Sequence, residues 1–377
     1  MTISASHLLS HTKILVIKLG SSLLIDTDRG TPKLDWLTSF IDDVLTLHKA
    51  GVQMAIVSSG AIALGRSSVG IDLKTPSKDI ALDLKQAAAS VGQIHLAHLF
   101  QSMFAERGVI ASQILLRPDD TEDRLSHLNA RATFNALLSR RIIPIINEND
   151  TTATEEIQFG GNDPLAARVA QMIEADTLLI LSTTNGLYTD DPRVNKNAEH
   201  IPFVEHIDQE ILALAKDPIR GISTGGMKSK IESSRIAVNA GAHVIIANGL
   251  DPNPISDLKG HTIILAHEKP RAARKRWILA HVNTNAHIVI DDGAVKALKT
   301  GKSLLPVGMV SVHGEFKSGD AIKIFDQVGH LHGVGLSHYN HTDCSRLIKA
   351  QSADIPLILG FEGRDEIIHR DNLALME

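Results

Sequence analysis

The stretch Pro144–Asp163, PIINENDTTATEEIQFGGND, decides how this chain is read. The apolar run Ile142, Ile143, Ile145 and Ile146 stops abruptly at Asn147-Glu148-Asn149-Asp150. A Gly-Gly-Asn-Asp turn, Gly160 to Asp163, then opens a helical pattern. A buried strand that ends in amides and carboxylates is how an open α/β sheet presents side chains to a ligand. The same pattern also describes a strand followed by a polar surface loop. Only partners supplied by other strand ends would make it a site.

Working outward, such partners recur. Lys13–Lys18 (KILVIK) is apolar and partly β-branched. It leads through Leu19 to Gly20-Ser21-Ser22 and then to a helix spaced by Leu37, Phe40, Ile41, Val44 and Leu45. Strand, glycine turn and helix make half of a βαβ unit. Lys18 and the N–H groups of the turn are placed to meet an anion, although a lysine that snorkels to water fits the same residues. Gln53–Val57 (QMAIV) is a second strand ending in Ser58-Ser59-Gly60-Ala61, whose small residues admit a ligand close to the backbone.

Asp79–Arg107 is a long helical region, expected to break or kink near Gly92. Ile110–Leu116 is a third strand and Asp123–Arg140 an amphipathic helix leading into the opening stretch. Beyond it, Pro164 sits in the first turn of a helix. Asp163 is therefore also a good N-cap. Asp176–Leu181 (DTLLIL) is a strand ending in Ser182-Thr183. Ser223–Lys230 (STGGMKSK) is a glycine-rich loop with two lysines that opens a further helix, and strand Val244–Ala247 follows.

Strands alternating with helices, each strand ending in small or polar residues, predict an α/β fold. Its sheet is open, mostly parallel and sandwiched by helices, with a binding crevice at the carboxyl ends of the strands. Residues 1–268 form this domain. The basic run Lys269–Arg276 (KPRAARKR) reads as a linker over residues 269–280. Short strands at His287–Ile290, Pro306–His313, Asp320–Phe325 and His332–Leu336 then make residues 281–377 a second, small β-rich domain.

Composition narrows the classes. At 377 residues, two domains are the default. Aromatics at 3% leave little for stacking single-stranded nucleic acid, and a net charge of −5 gives no global attraction to nucleic acid or anionic membrane. Cys344 is the only cysteine, so there is no disulfide or thiolate metal cluster. No spacing of the 19 histidines places two imidazoles on one metal. The N-terminus has no long apolar run and no stretch is long enough to span a bilayer, so a cytoplasmic location is expected.

The strand ends thus gather Lys18, Ser59, Asp150, Asn162, Asp163, Ser182, Thr183 and the Thr224–Lys230 loop. Ser-His-Asp, Cys-His, Walker A and GxGxxG patterns are all absent. Lysines, glycine loops and hydroxyls beside carboxylates suit phosphoryl transfer, where catalysis is mostly positioning and charge neutralisation. Mg²⁺ would share that neutralising role. If the acceptor is itself a carboxylate, no general base is needed, since it is ionised at neutral pH.

In this order, KLGSS, SSGAIALG, PIINENDT, GGND, NGLYTDDPR and STGGMKSK resemble the glutamate 5-kinase branch of the amino acid kinase family. The tail, with SLLPVGMVSVHGEFKSGD and HGVGLSHYN, resembles the PUA domain of many bacterial members. The likeness runs from about Lys13 to His369.

It implies transfer of the γ-phosphate of ATP to the side-chain carboxylate of L-glutamate. The acyl phosphate formed would pass to glutamate 5-phosphate reductase in the first steps of proline synthesis. Lys18 and Lys230 would contact the transferring phosphate, organised by Asp163, while Ser59, Asp150 and Asn162 hold glutamate. Asp150 suits the ammonium group of the substrate, and Ser59 its carboxylate. ATP would lie along Lys18, Ser182, Thr183, Thr224, Gly225, Gly226, Met227, Lys228, Ser229 and Lys230. The resemblance also implies feedback inhibition by proline and assembly into homodimers or homotetramers. Thr151–Phe159 would form a flap over glutamate.

Two positions depart from the pattern. Ser182-Thr183 stands where many members have Thr-Asp, and Gly161 where many have a side chain before Asn162-Asp163. Other acceptors within the family (acetylglutamate, aspartate or a nucleoside monophosphate) remain alternatives. So does RNA binding by the PUA-like tail. That tail carries nine Lys or Arg against twelve Asp or Glu, which opposes binding to a phosphate backbone.

Overall fold

The computed structural model describes residues 4–152, 161–214, 226–280 and 282–376. Two compact units emerge. One comprises residues up to 122 together with 129–270, and the other residues 123–128 with 271 onward.

In the first unit the strands are β1 (Ile14–Leu19), β2 (Gln53–Val57), β3 (Ala111–Leu116), β4 (Ile143–Glu148), β5 (Thr177–Ser182), β6 (Phe203–Val204), β7 (His243–Asn248) and β8 (His261–Ile264). They form one eight-stranded sheet in the order β6-β8-β7-β5-β1-β2-β4-β3. Every pairing is parallel except β7 with β8. The chain moves outward from β1 through β2, then returns to lay β5 on the other flank of β1. Such a reversal of direction is where open α/β sheets leave a crevice beyond the carboxyl ends of their strands.

Helices α1 (Leu34–Lys49) and α2 (Leu82–Ala105) cover one face. On the other lie α3 (Arg124–Ser139), α4 (Asn162–Met172) and α5 (Met227–Asn239). The period of two along a strand divides β1 between the faces. Leu15, Ile17 and Leu19 join the apolar layer of α1 and α2, and Val16 joins that of α3, α4 and α5. Each such residue is fully buried, and burying one stabilises the fold by roughly 1.5–3 kcal/mol.

The break expected near Gly92 does not occur, because α2 is one continuous helix of 24 residues. Gly92 serves a different need. The short helix Ala61–Gly65 crosses α2 so closely that a Cβ on Gly92 would fall 1.8 Å from Ala61 O, and one on Gly65 would fall 1.9 Å from Ala88 O. Two glycines let the backbones touch and fasten the segment after Ser58-Ser59 to α2. The opening strand also runs further than its apolar letters suggest, since Asn147 and Glu148 belong to β4 and are buried.

The basic run near the start of the second unit is helical, forming α6 (Pro270–Ala280). Its low apolar content disguises a narrow buried stripe containing Ala273 and Ile278, while Arg271, Lys275 and Arg276 face outward. Five strands follow: β9 (Val282–Ile290), β10 (Met309–His313), β11 (Ala321–Asp326), β12 (Leu331–Leu336) and β13 (Leu373–Leu375). They form a separate sheet in the order β10-β9-β11-β12-β13. Its core includes Ile288, Ile290, Leu298, Ile322, Ile324 and Cys344.

Candidate functional site

Lys18 shares a face of β1 with Val16, so its side chain projects toward the helices α4 and α5. Asp163 stands in the first turn of α4 and Lys230 four residues into α5. The three meet at the carboxyl edge of the sheet. Lys18 Nζ lies 2.7 Å from Asp163 Oδ1, and Lys230 Nζ donates to Asp163 Oδ2 at 3.1 Å. All three side chains are buried, Asp163 to 1% exposure. Burial pushes the Asp163 carboxyl up, but the ammonium groups of Lys18 and Lys230 outweigh it and hold the group below the usual carboxylate range. The pKa of Lys230 is lowered by burial despite the opposing pull of Asp163.

Two ammonium groups on one carboxylate leave this trio net positive. In a low-dielectric pocket that is a setting for an anion whose charge must be neutralised. Asp163 is not a helix cap, because Gly161 occupies the N-cap position and makes no side-chain cap bond. Gly161 has φ +128°, a conformation that favours glycine, and a Cβ there would meet nothing within 4 Å.

One residue earlier, Asn162 faces a different group of partners. Its Nδ2 donates to Ser58 O at 2.6 Å, to Ser59 Oγ at 2.9 Å and to Asn147 Oδ1 at 3.0 Å. Asn147 in turn donates from Nδ2 to Gln93 Oε1 at 2.8 Å and accepts from the Glu148 backbone N–H at 2.9 Å. Asp150 follows β4, half-buried, and burial pushes its carboxyl up to about 6. A partly desolvated carboxylate gains most from a cationic ligand.

On the other flank of β1, Ser182 ends β5. Its carbonyl accepts from Gly249 N at 2.8 Å, and Thr183 is exposed. Gly20 adjoins both strands, since a Cβ built there would lie 3.9 Å from Lys18 Nζ and 4.0 Å from Leu181 O. Gly226 is the N-cap of α5, so the helix opens with the backbone N–H groups of Met227, Lys228 and Ser229, the kind of helix start suited to phosphate. Thr224 and Gly225 lie outside the described residues, as does most of the Thr151–Phe159 segment read as a flap.

The structure therefore brings Lys18, Asp163 and Lys230 together, and separately Ser59 and Asn162. Sequence reading missed Gln93, which lies 54 positions from Asn147 with no motif spacing to mark it. It also treated Asn147 as one polar letter among several.

The profile of the amino acid kinase family matches residues 13–248. The chain belongs to the amino acid kinase family. A PUA domain profile matches residues 286–359 of this kinase family member. The chain is 44% identical to the glutamate 5-kinase of Bradyrhizobium diazoefficiens over 374 residues, covering 98% of this chain and 99% of that one. It is 45% identical to the glutamate 5-kinase of Rhodopseudomonas palustris strain BisA53, covering 97% of each. The glutamate 5-kinase of Gluconobacter oxydans is 44% identical, again over 97% of each chain. Among solved structures, UMP kinase from Ureaplasma parvum is similar at a TM-score of 0.47 and 15% identity, over 68% of this chain and 99% of that one.

Proposed function

We propose that this chain catalyses ATP-dependent phosphorylation of the side-chain carboxylate of L-glutamate to L-glutamyl 5-phosphate. The reading rests on the buried Lys18–Asp163–Lys230 trio at the strand ends, in a chain about 44% identical along nearly its whole length to proteins named glutamate 5-kinase.

In this reading the acceptor carboxylate is already ionised and attacks directly, so no side chain has to remove a proton. Lys18 and Lys230 offset the charge that develops on the transferring phosphoryl oxygens, and Asp163 fixes where their ammonium groups sit. Asp150, Asn162 and Ser59 hold the amino acid end of glutamate. Ser182, Thr183 and the residues from Thr224 to Lys230 line the nucleotide. Among the described residues no group of three carboxylate, imidazole or thiol side chains could hold a metal ion, and lysines engage both oxygens of Asp163. We assign Mg²⁺ to the phosphates of the nucleotide, where it would share in neutralising their charge.

Among the described residues no helix is long and apolar enough to cross a membrane. We assign the enzyme to the cytoplasm, as a homodimer or homotetramer, with proline as feedback inhibitor and glutamate 5-phosphate reductase as the consumer of its product.

The deciding experiment supplies ATP, Mg²⁺ and L-glutamate and traps the acyl phosphate with hydroxylamine. Hydroxamate formation with glutamate, well above that with acetylglutamate, aspartate or UMP-dependent ATP consumption, supports the reading. Preference for any of those acceptors overturns it.

A further inference from the structure

The residues from Gln86 to Leu116 make up most of α2 and all of β3, and only Glu106 and Arg107 among them are charged, in a chain that is 21% charged. The inner side of α2 is apolar, with Ala88, Leu96, Phe100 and Phe104 buried. Its outer side is not the polar surface that a half-exposed helix normally carries. Leu84, Ala87, Val91, Ile94, His98 and Gln101 recur there every three or four residues, and Ile94 is 71% exposed. By contrast α1, which covers the same face of the sheet, exposes Asp35, Asp42 and Lys49.

β3 forms one edge of the eight-stranded sheet. Among the described residues the outer row of its backbone N–H and C=O groups has no strand partner. Exposed edges are normally shortened, bulged, or guarded by lysine or proline. The opposite edge, β6, is only two residues long. β3 instead has six residues in unbroken register with β4 and contains no proline and no charge, and Ile110 just before it is 65% exposed. Between α2 and β3 lies a groove of about 240 Å³, whose walls include Ala97, His98, Gln101, Ala111 and Gln113. The helix stripe and the strand edge are therefore one continuous face without a formal charge.

We propose that this face is where two copies of the chain meet, about a two-fold axis that sets α2 against α2 and joins the two sheets edge to edge through β3. Three features select a second copy as the occupant. The strand edge is self-complementary, since in an antiparallel pair across a two-fold its donors and acceptors meet the acceptors and donors of the same strand in the partner. The outer stripe carries no charge to specify a partner of opposite charge, and no Lys or Arg to hold an anionic lipid surface. The size also fits. α2 is about 36 Å long and about 10–12 Å across with its side chains, and β3 adds about 20 Å of edge. Their combined surface approaches the ~800 Å² that each partner of a standard interface buries. This names the surface for the self-association assigned above, and it holds whichever acceptor the enzyme takes.

Sedimentation equilibrium of the full chain over a dilution series tests this in wild type, Ile94→Lys, Leu115→Lys and Val194→Lys. The wild type should be a dimer or a multiple of one. Ile94→Lys and Leu115→Lys each place a lysine in the contact from both copies. They should raise the dissociation constant about thirtyfold or more and bring the mass down to half that of wild type. Val194→Lys, which alters a residue 73% exposed outside α2 and β3, should sediment as wild type. Circular dichroism and the urea midpoint report whether each variant is folded. If Leu115→Lys is not, Ile94→Lys against Val194→Lys decides by the same comparison. A monomeric wild type overturns the proposal, as does an Ile94→Lys chain that associates as tightly as wild type, or equal weakening by Val194→Lys. A monomeric wild type that co-sediments with phosphatidylcholine vesicles, and loses this in Ile94→Lys, overturns it in favour of a lipid surface. Hydroxamate formation from glutamate, followed on the same samples, reports separately on the proposed function.

Discussion

Lys230 donates to Asp163 Oδ2 at 3.1 Å, bridging 67 positions of sequence within a buried pocket. Because Asp163 also receives Lys18 at 2.7 Å, one carboxylate sets the spacing of two cations. Lys230→Ala should lower kcat about 10²–10³-fold, the scale of losing one preorganised charge-stabilising donor, with KM for glutamate little changed. Lys230→Arg should recover little, because a planar guanidinium cannot replace a compact ammonium group on the same carboxylate. Steady-state kinetics in the hydroxamate assay check both.

Removing the shared anion has a different signature. Asp163→Ala leaves Lys18 and Lys230 buried and facing each other, and should cost about 3–5 kcal/mol of stability. The Asp163 carboxyl is held below its ordinary value in the folded chain. Its stabilising contribution is therefore complete above the unfolded value of 3.8 and is lost as pH falls through the depressed folded value. Urea denaturation of the wild type should weaken as pH falls below 4, and the Asp163→Ala curve should lack the part of that loss due to this group.

Asp150 titrates in the opposite sense, its carboxyl raised by burial to about 6. Only the ionised form attracts an ammonium group, so kcat/KM for glutamate should fall about tenfold per pH unit below that value. Asp150→Asn should have a raised KM for glutamate and lose this acid limb, while KM for ATP stays nearly constant. A pH series between 5 and 8 reads the difference.

The crossing of the Ala61–Gly65 helix with α2 tolerates no added carbon. Gly92→Ala places a methyl 1.8 Å from Ala61 O. It should destabilise the first unit by about 1–3 kcal/mol or more, since overpacking against backbone cannot be relieved by a rotamer change. It should also raise KM for glutamate, because Ser58 and Ser59 directly precede the displaced helix. Chemical denaturation and kinetics on the same variant separate the two effects.

In the second unit, Cys344 is fully buried, and burial pushes its thiol up to about 12. The folded chain should therefore react very slowly with a thiol reagent at pH 8 and rapidly in denaturant, since only the thiolate is nucleophilic. A fast reaction under native conditions would show that the core around Ile322 and Ile324 opens.

Strand and helix alternation, the small or polar residues after each strand and the β-rich tail were all legible from the letters, because period-two and period-3.6 patterning is local. Lys18, Asp163 and Lys230 could be picked out as anion-binding candidates for the same reason: each stands at the end of a recognisable element. Buried polar residues escape that reasoning. Asn147 and Glu148 extend β4 although the apolar run ends at Ile146. Gly92 resembles a helix breaker but is a point of backbone contact. The basic run near residue 270 carries few apolar letters, yet it forms a helix that buries Ala273 and Ile278.

The sequence by itself determined the family, the sheet and most of the charged groups at its edge. These follow from hydrophobic periodicity and from motifs that hold their neighbours in order. Only the tertiary structure decided which of those groups share a partner and how the amides point. Lys18 and Lys230 are joined by where α4 and α5 pack on β1. The orientation of Asn162 is imposed by the backbone carbonyl of Ser58, 104 positions away, which no local pattern encodes. Hydrogen-bond direction is a property of the packed assembly, because each amide must satisfy neighbours brought to it from distant parts of the chain.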